Sequence, residues 1–179
     1  MEREPEPWLR GTHRDLPAVV RAVIHALELA REDGERWCRE LSDEQMYLRP
    51  AGIAPVAFQL RHVVRSLDRL LTYAEGRQLS AEQMAGLKTE MDAGATREAV
   101  LEEFSAGIEA AIARVKRFAG ANLEEARSVG RKGLPTTVGG LLVHCADHTQ
   151  RHAGQIVTTA GVLAAPAGTL RVTAGPERE

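Results

Sequence analysis

Cysteine, aromatic residues and long apolar runs are all scarce in this sequence of 179 residues. Its two cysteines, Cys38 and Cys145, lie far apart, and neither belongs to a CxxC pair. This spacing argues against a disulfide framework and against a zinc site built from thiolates, so we expect two reduced thiols. No apolar run approaches the ~20 residues that a membrane-spanning helix needs, so no role in a membrane is expected.

An excess of charge of either sign is also lacking. The chain has 23 Lys and Arg residues against 25 Asp and Glu residues, which gives a formal net charge of −2. No segment concentrates basic residues among aromatic ones, so nucleic acid is not an expected partner. The segment 1–7 is acidic and contains prolines. A secretory signal needs a basic start and an apolar stretch instead, so we expect a cytoplasmic protein.

The composition that remains is that of a soluble globular domain, with 44% apolar and 27% charged residues. The length fits one domain with a single core that needs no covalent cross-links. Prolines separate long stretches in which apolar residues recur at spacings of three and four, with almost no alternation of period two. Such stretches are typical of amphipathic helices.

Four long helices are predicted from this spacing and from the residues that can cap them. Helix one is expected to begin at Asp15 as its N-cap, with Pro17 in the first turn and a bend at Gly34, and to end near Leu41. The other three are expected over about Pro55–Ala74 with Gly76 as the stop, from Thr96 to about Phe118, and from Thr136 or Thr137 to about Leu163. The connections 77–95, with room for a short helix, and 120–133 are long and polar.

Four long amphipathic helices in one domain most often pack as a bundle. The sequence therefore predicts an all-α four-helix bundle with long connections over residues 15–163. An N-terminal arm, 1–14, is expected before it and a C-terminal tail, 164–179, after it.

The fourth predicted helix carries a polar stripe where a core face is expected. Its members lie within an arc of roughly 100°: Leu141, His144, Cys145, His148, His152 and Gln155. Burying an unpaired polar group costs about 1–3 kcal/mol, so the histidines of this stripe need a shared partner. His148 and His152 have the i, i+4 spacing that lets one metal ion bridge two imidazoles, and zinc or nickel suits imidazole nitrogen.

A third histidine ligand must come from another helix, and His62, beside the apolar stripe of helix two, is the best candidate. The simpler interpretation is that each histidine is an ordinary solvated or core residue, because HxxxH pairs also arise by chance. His25 lies opposite the apolar stripe of helix one and is expected in water, and His13 in the arm is expected to be structureless.

Three stretches resemble the DinB-like superfamily of metalloenzymes. They are Leu41–Met46 with the following Arg49-Pro50, Gln59–Val63, and Val143–Ile156. The most specific feature is the combination of a histidine on helix two with a helix-four run that ends in His-x-Gly-Gln-Ile. The resemblance spans roughly residues 15–163.

The resemblance implies an up-down-down-up bundle, a divalent metal ion held by His62, His148 and His152, and frequently a homodimer. It also implies thiol chemistry, because some relatives are S-transferases or isomerases that use a low-molecular-weight thiol such as bacillithiol or mycothiol. Many relatives have a further histidine directly before the last ligand. Here that position is Arg151, so the resemblance does not extend to an acid role at this position.

We therefore expect a metal-dependent enzyme, a transferase or hydrolase, that activates water or a thiolate for a reaction on a small molecule. A metal sensor or stress-response module without catalysis, and a structural dimer, are the alternatives.

Several side chains near the three histidines have more than one interpretation. His144 is expected to have a structural role or to contact a metal ligand, rather than to bind the metal itself. Gln155 is expected to hydrogen-bond a ligand or a metal-bound water. Cys145 is either a fourth ligand or redox partner, or a small buried thiol. The arginines of helix two either line the mouth of the site or are solvated charges: Arg61, Arg65 and Arg69.

Overall fold

The computed structural model describes residues 4–165, so the tail predicted over 164–179 lies almost entirely outside the described residues. The described part is mostly helical. Its helices and strands are α1 Ala18–Cys38, α2 Val56–Ala74, α3 Ala81–Gly86, α4 Arg97–Lys116, β1 Ala126–Val129, β2 Leu134–Thr137 and α5 Val138–Ala164. Short 3₁₀ helices lie at Pro7–Leu9, Gln45–Tyr47, Pro50–Gly52 and Arg117–Gly120. No helix within residues 4–165 is long and apolar enough to cross a membrane.

Capping residues place the ends of three long helices where the sequence predicts them. α2 begins directly after Pro55, and Gly76 ends the segment with a φ of +74°, which glycine adopts without strain. The Thr96 hydroxyl accepts a hydrogen bond from the Ala99 amide at 3.2 Å. Thr137 caps α5 in the same way, with its hydroxyl 3.0 Å from the Gly140 amide. These local side-chain contacts are the ones that define a helix N-terminus.

The first helix differs from its prediction at both ends. It begins at Ala18, and Pro17 occupies the N-cap with a ψ of 149°, so the prediction of Asp15 as the cap is wrong. Asp15 lies two residues before the cap, too far for its carboxylate to serve the first turn as an N-cap side chain does. The helix runs on through Gly34 and ends at Cys38, three residues before Leu41.

The N-terminal arm is ordered against α1, which corrects two predictions. His25 is buried, with only 7% of its surface exposed, and its Nε2 lies 3.0 Å from the Thr12 hydroxyl. His13 has a φ of +54°, and its Nε2 lies 2.8 Å from a carboxylate oxygen of Glu28. The polar face of α1 was expected to meet water, but the N-terminal arm covers part of it. Helical periodicity does not reveal such a contact, because the arm is not part of a helix.

The two long connections contain regular structure. α3 confirms the short helix expected in the first, and it begins with a reciprocal pair of hydrogen bonds between Ser80 and Gln83. The second, expected over 120–133 to be only a polar crossing, contains β1 and the turn of the hairpin β1–β2, in which Val129 pairs with Leu134. The fold is therefore mostly helical and not purely helical as predicted. Strands of four residues are too short to show an alternating pattern, and Arg127 secures the first of them by donating from Nε to the Ala74 carbonyl at 2.8 Å.

The core lies between the four long helices, and all four contribute its buried apolar side chains. α1 packs mainly against α4 and α5, and α2 packs against the same two helices. Gln150 of α5 donates to the Ala26 carbonyl of α1 at 2.6 Å. The contact between α2 and α5 is the one that positions the candidate site.

Two glycines allow helices to approach closely. A Cβ atom on Gly107 of α4 would lie 2.5 Å from the Cβ of Val64 on α2. A Cβ on Gly34 would lie 2.7 Å from the Phe104 ring. Both distances are far shorter than van der Waals contact, so Gly34 makes room for α4, a role that the sequence did not reveal.

We expect Gly107→Ala to destabilise the protein by about 1–3 kcal/mol, because the new methyl group overpacks the interface between α2 and α4. The matched control is Gly154→Ala on α5, where nothing lies within 4 Å of the added Cβ. That substitution should stabilise by about 0.5–1 kcal/mol through helix propensity alone. Free energies of unfolding from urea titrations measure both. Equal stability of the two variants would contradict the packing argument.

Candidate metal centre

Three imidazoles from two helices converge at one point beside the core. His62 lies on α2, and His148 and His152 lie one turn apart on α5. One ring nitrogen of each lies within 4.8 Å of the others. The ring centroids are 5.2 Å apart for His62 and His148, 4.6 Å for His62 and His152, and 4.5 Å for His148 and His152. The structure thus brings together the three histidines named from the sequence.

Two of these imidazoles are oriented by oxygen acceptors on their far side. Nδ1 of His62 lies 2.8 Å from Oε2 of Glu90, and Nδ1 of His152 lies 2.5 Å from Oε1 of Gln59. Because each oxygen accepts, each Nδ1 carries the proton and donates it, which leaves Nε2 with a free lone pair. The Ser66 hydroxyl makes only a long contact of 3.4 Å with Nε2 of His62. This is the tautomer that a metal ligand needs.

The third imidazole carries the clearest sign of a missing partner. Nδ1 of His148 is buried and has no hydrogen-bond partner within the described structure. Burial is the main cause that lowers the pKa of His148 to about 4, and the neighbouring rings of His152 and His62 lower it as well. Burial likewise lowers the pKa of His152. Both rings are therefore neutral at pH 7, as imidazole ligands must be, and a cation bound through Nδ1 of His148 would satisfy the orphaned nitrogen.

Glu90 is the functional residue that sequence analysis missed. It lies in the connection between α3 and α4, and only 4% of its surface is exposed. One carboxylate oxygen accepts from Nδ1 of His62, and the other accepts from Nη1 of Arg69 at 3.0 Å. A single Glu in a weakly patterned segment offers no periodic signal, and 28 residues separate it from His62. Only the path of the chain brings the two together.

Three arginines, one per turn of α2, hold this connection in place. Arg61 donates to the Asp92 carbonyl at 2.5 Å, Arg65 donates to the Gly86 carbonyl at 2.9 Å, and Arg69 reaches Glu90. Arg61 and Arg65 also pair with Glu103 of α4, at 3.2 and 3.0 Å. The prediction that these arginines are solvated charges is wrong for Arg61, which is buried. The alternative, that they line the mouth of the site, holds among the three only for Arg69, which borders the cleft beside His148.

The other predicted residues lie around the three-histidine group but outside it. His144 is half exposed, with its Nδ1 3.1 Å from Oδ1 of Asp147 and its ring 5.5 Å from that of His148. Gln155 is exposed, and its side chain opposes the fall in the pKa of His152. Cys145 is fully buried among apolar side chains of the core.

An open cleft of about 510 Å³ leads to His148. Residues of α2, α3 and α5 line it together with the turn of the hairpin. Among its walls are Ser66, Tyr73, Met84, Arg131 and His144. A small organic molecule fits a space of this size, so the cleft gives such a molecule access to His148.

Comparisons with known proteins identify a family and a similar fold. A family model described as the DinB superfamily matches residues 26–156. A solved structure of a conserved protein from Enterococcus faecalis superposes with a TM-score of 0.58 at 18% sequence identity, covering 81% of this chain and 96% of that one. No curated protein matches the chain. At this identity the structural match concerns the fold alone.

Neither cysteine should react with a thiol reagent in the native protein. Burial raises the pKa of Cys38 and of Cys145 to about 12, so both thiols stay protonated at pH 8. Ellman's reagent should therefore detect two thiols per chain after denaturation and react much more slowly before it. Rapid reaction of the native Cys145→Ser variant would show that Cys38 is accessible, and rapid reaction of native Cys38→Ser would show the same for Cys145.

Proposed function

Because this chain belongs to the DinB superfamily, we propose that it binds one divalent metal ion through His62, His148 and His152 and uses the ion in a reaction on a small molecule. The observation that carries the proposal is the orphaned Nδ1 of His148 inside a group of three imidazoles. The other two rings already have their protons placed by Glu90 and Gln59. Zinc or nickel suits an all-imidazole ligand set.

Three protein ligands are the usual number at a catalytic centre, because they leave room for water or substrate. A bound zinc or nickel ion would supply Lewis acidity and would lower the pKa of a coordinated water or thiol towards neutrality. The protein's own contribution is orientation. Glu90 keeps the proton of His62 on Nδ1, Arg69 holds the second carboxylate oxygen of Glu90, and Gln59 fixes the ring of His152. We propose a thiol-dependent S-transferase or a hydrolase, with family resemblance favouring thiol chemistry.

A non-catalytic metal sensor is the second candidate, and one observation favours it. No carboxylate is among the described residues that line the cleft beside His148. Glu90, the nearest buried acid, has both oxygens occupied by His62 and Arg69. A general acid or base would have to be His144 or the substrate itself, whereas a sensor needs neither.

The up-down-down-up bundle remains part of this proposal. Contacts between the helices support it. Gln150 reaches Ala26, and Gly161 lies close to Trp37, as expected for parallel α1 and α5. Arg61 pairs with Glu103 while Arg114 pairs with Asp68, as expected for parallel α2 and α4.

Purified protein should contain about one equivalent of zinc or nickel per chain, measured by elemental analysis. His148→Ala and His152→Ala should each lose most of it, because two imidazoles hold a divalent ion much more weakly than three. His144→Ala is the matched control, since this histidine lies on the same helix outside the group, and it should retain the metal. Full metal content in His148→Ala would overturn the proposal.

Turnover then separates the enzyme from the sensor. The metal-loaded protein is incubated with low-molecular-weight thiols and an electrophile, and in parallel with ester, amide and phosphodiester substrates. Product formation that His148→Ala abolishes and His144→Ala retains in part supports the enzyme. Stoichiometric metal without turnover in any of these assays favours the sensor.

Glu90→Gln should lower the metal affinity by about 10–100-fold, because an amide no longer fixes the tautomer of His62 as a carboxylate does. Competition with a chromophoric chelator measures this affinity. Glu103→Gln is the control, since it also removes a carboxylate paired with α2 arginines but contacts no histidine of the group. Equal affinities of the two variants would show that Glu90 only holds Arg69.

A further inference from the structure

The cleft beside His148 combines apolar walls with positive charge. Tyr73, Met84 and Leu87 contribute apolar surface, and Arg69 and Arg131 contribute guanidinium groups. Met84 and Leu87 are 38% and 43% exposed, so their apolar surface is available to a molecule in the cleft. Because no acidic side chain is among the described lining residues, the cleft favours an anion that also has an apolar part.

The two arginines of the cleft differ in what they already bind. Arg69 is buried against Glu90 and also donates to the Ser66 hydroxyl at 2.9 Å, so its charge is neutralised within the protein. Arg131 is exposed and forms no ion pair or hydrogen bond with any residue that the structure describes. The uncompensated positive charge of the cleft is therefore that of Arg131.

The hairpin turn determines where Arg131 lies. Val129 pairs with Leu134, and the four residues between them form a turn in which the Gly133 amide donates to the Gly130 carbonyl at 3.1 Å. Gly130 and Gly133 have φ values of +71° and +59°, which favour glycine. Lys132, the next residue in this turn, does not line the cleft.

We propose that the cleft binds a small organic carboxylate with an apolar body. Its carboxylate is held by the planar guanidinium of Arg131, which matches two carboxylate oxygens, and its apolar part packs on Met84 and Leu87. The end of the molecule that reacts then faces His148. This inference rests on the proposed function only in that last step, because the contacts with Arg131, Met84 and Leu87 need no metal ion.

Titration of the full-length protein with octanoate, followed by NMR, tests the inference. It is done on the protein as purified and again after removal of metal with a chelator, so that coordination of the carboxylate to a metal ion is excluded. Octanoate should perturb the signals of α3 and of the hairpin turn in both forms. Arg131→Gln should weaken binding about three- to tenfold, the effect of one partly exposed charge-assisted pair. Lys132→Gln removes the same charge one residue away and should change the affinity less than twofold.

1-Octanol supplies the second comparison, because it has the same apolar chain without the charge. It should bind more weakly than octanoate to the wild-type protein, and equally to the wild type and Arg131→Gln. Equal effects of the two turn substitutions on octanoate, or equal affinities for octanoate and octanol, would overturn the inference. Octanoate binding that depends on Arg131 in a chain without metal would support this inference while the metal proposal fails. Metal binding with octanoate affinity independent of Arg131 would show the reverse.

Discussion

The packing of α2 against α5 is the contact on which the candidate site depends. Two imidazoles one turn apart on α5 can face a common point, but the third comes from His62, and its distance is set entirely by how the two helices meet. Both helices contribute buried apolar side chains to the shared core, among them Leu60 and Ile156. This burial provides the free energy that keeps Nδ1 of His148 away from water, even though an unpaired buried nitrogen costs about 1–3 kcal/mol.

The connections between the helices supply polar side chains to the site and its cleft. The connection after α3 carries Glu90 to His62, and the connection before α5 folds into the hairpin whose turn places Arg131 at the cleft. Both connections are bound to α2. Three arginines of α2, one turn apart, hold the first, and Arg127 of β1 binds the second to the end of the helix. The long helices hold the imidazoles, and the connections orient them and form the walls around them.

Charge within the site is balanced locally. Glu90 is buried with a partner on each carboxylate oxygen, so neither the acid nor Arg69 is left uncompensated. Removing one member of such a network is costly, because the remaining charge then stays buried without a partner. The pKa of His148 is low for a related reason, because burial and the neighbouring rings of His152 and His62 disfavour a charged imidazole. Neutral rings at His148 and His152, the first with an orphaned nitrogen, suit a divalent cation.

The sequence by itself determined the long helices, most of their caps and the three histidines that meet, because each of these leaves a local pattern. Apolar residues at spacings of three and four, Thr96 and Thr137 before their helices, and the pair His148 and His152 are all visible within a few residues of chain. Only the tertiary structure decided the burial of His25 under the arm, the hairpin, and the partnership of Glu90 with His62. These contacts join distant segments, and their energies depend on the path of the backbone, which no local periodicity records.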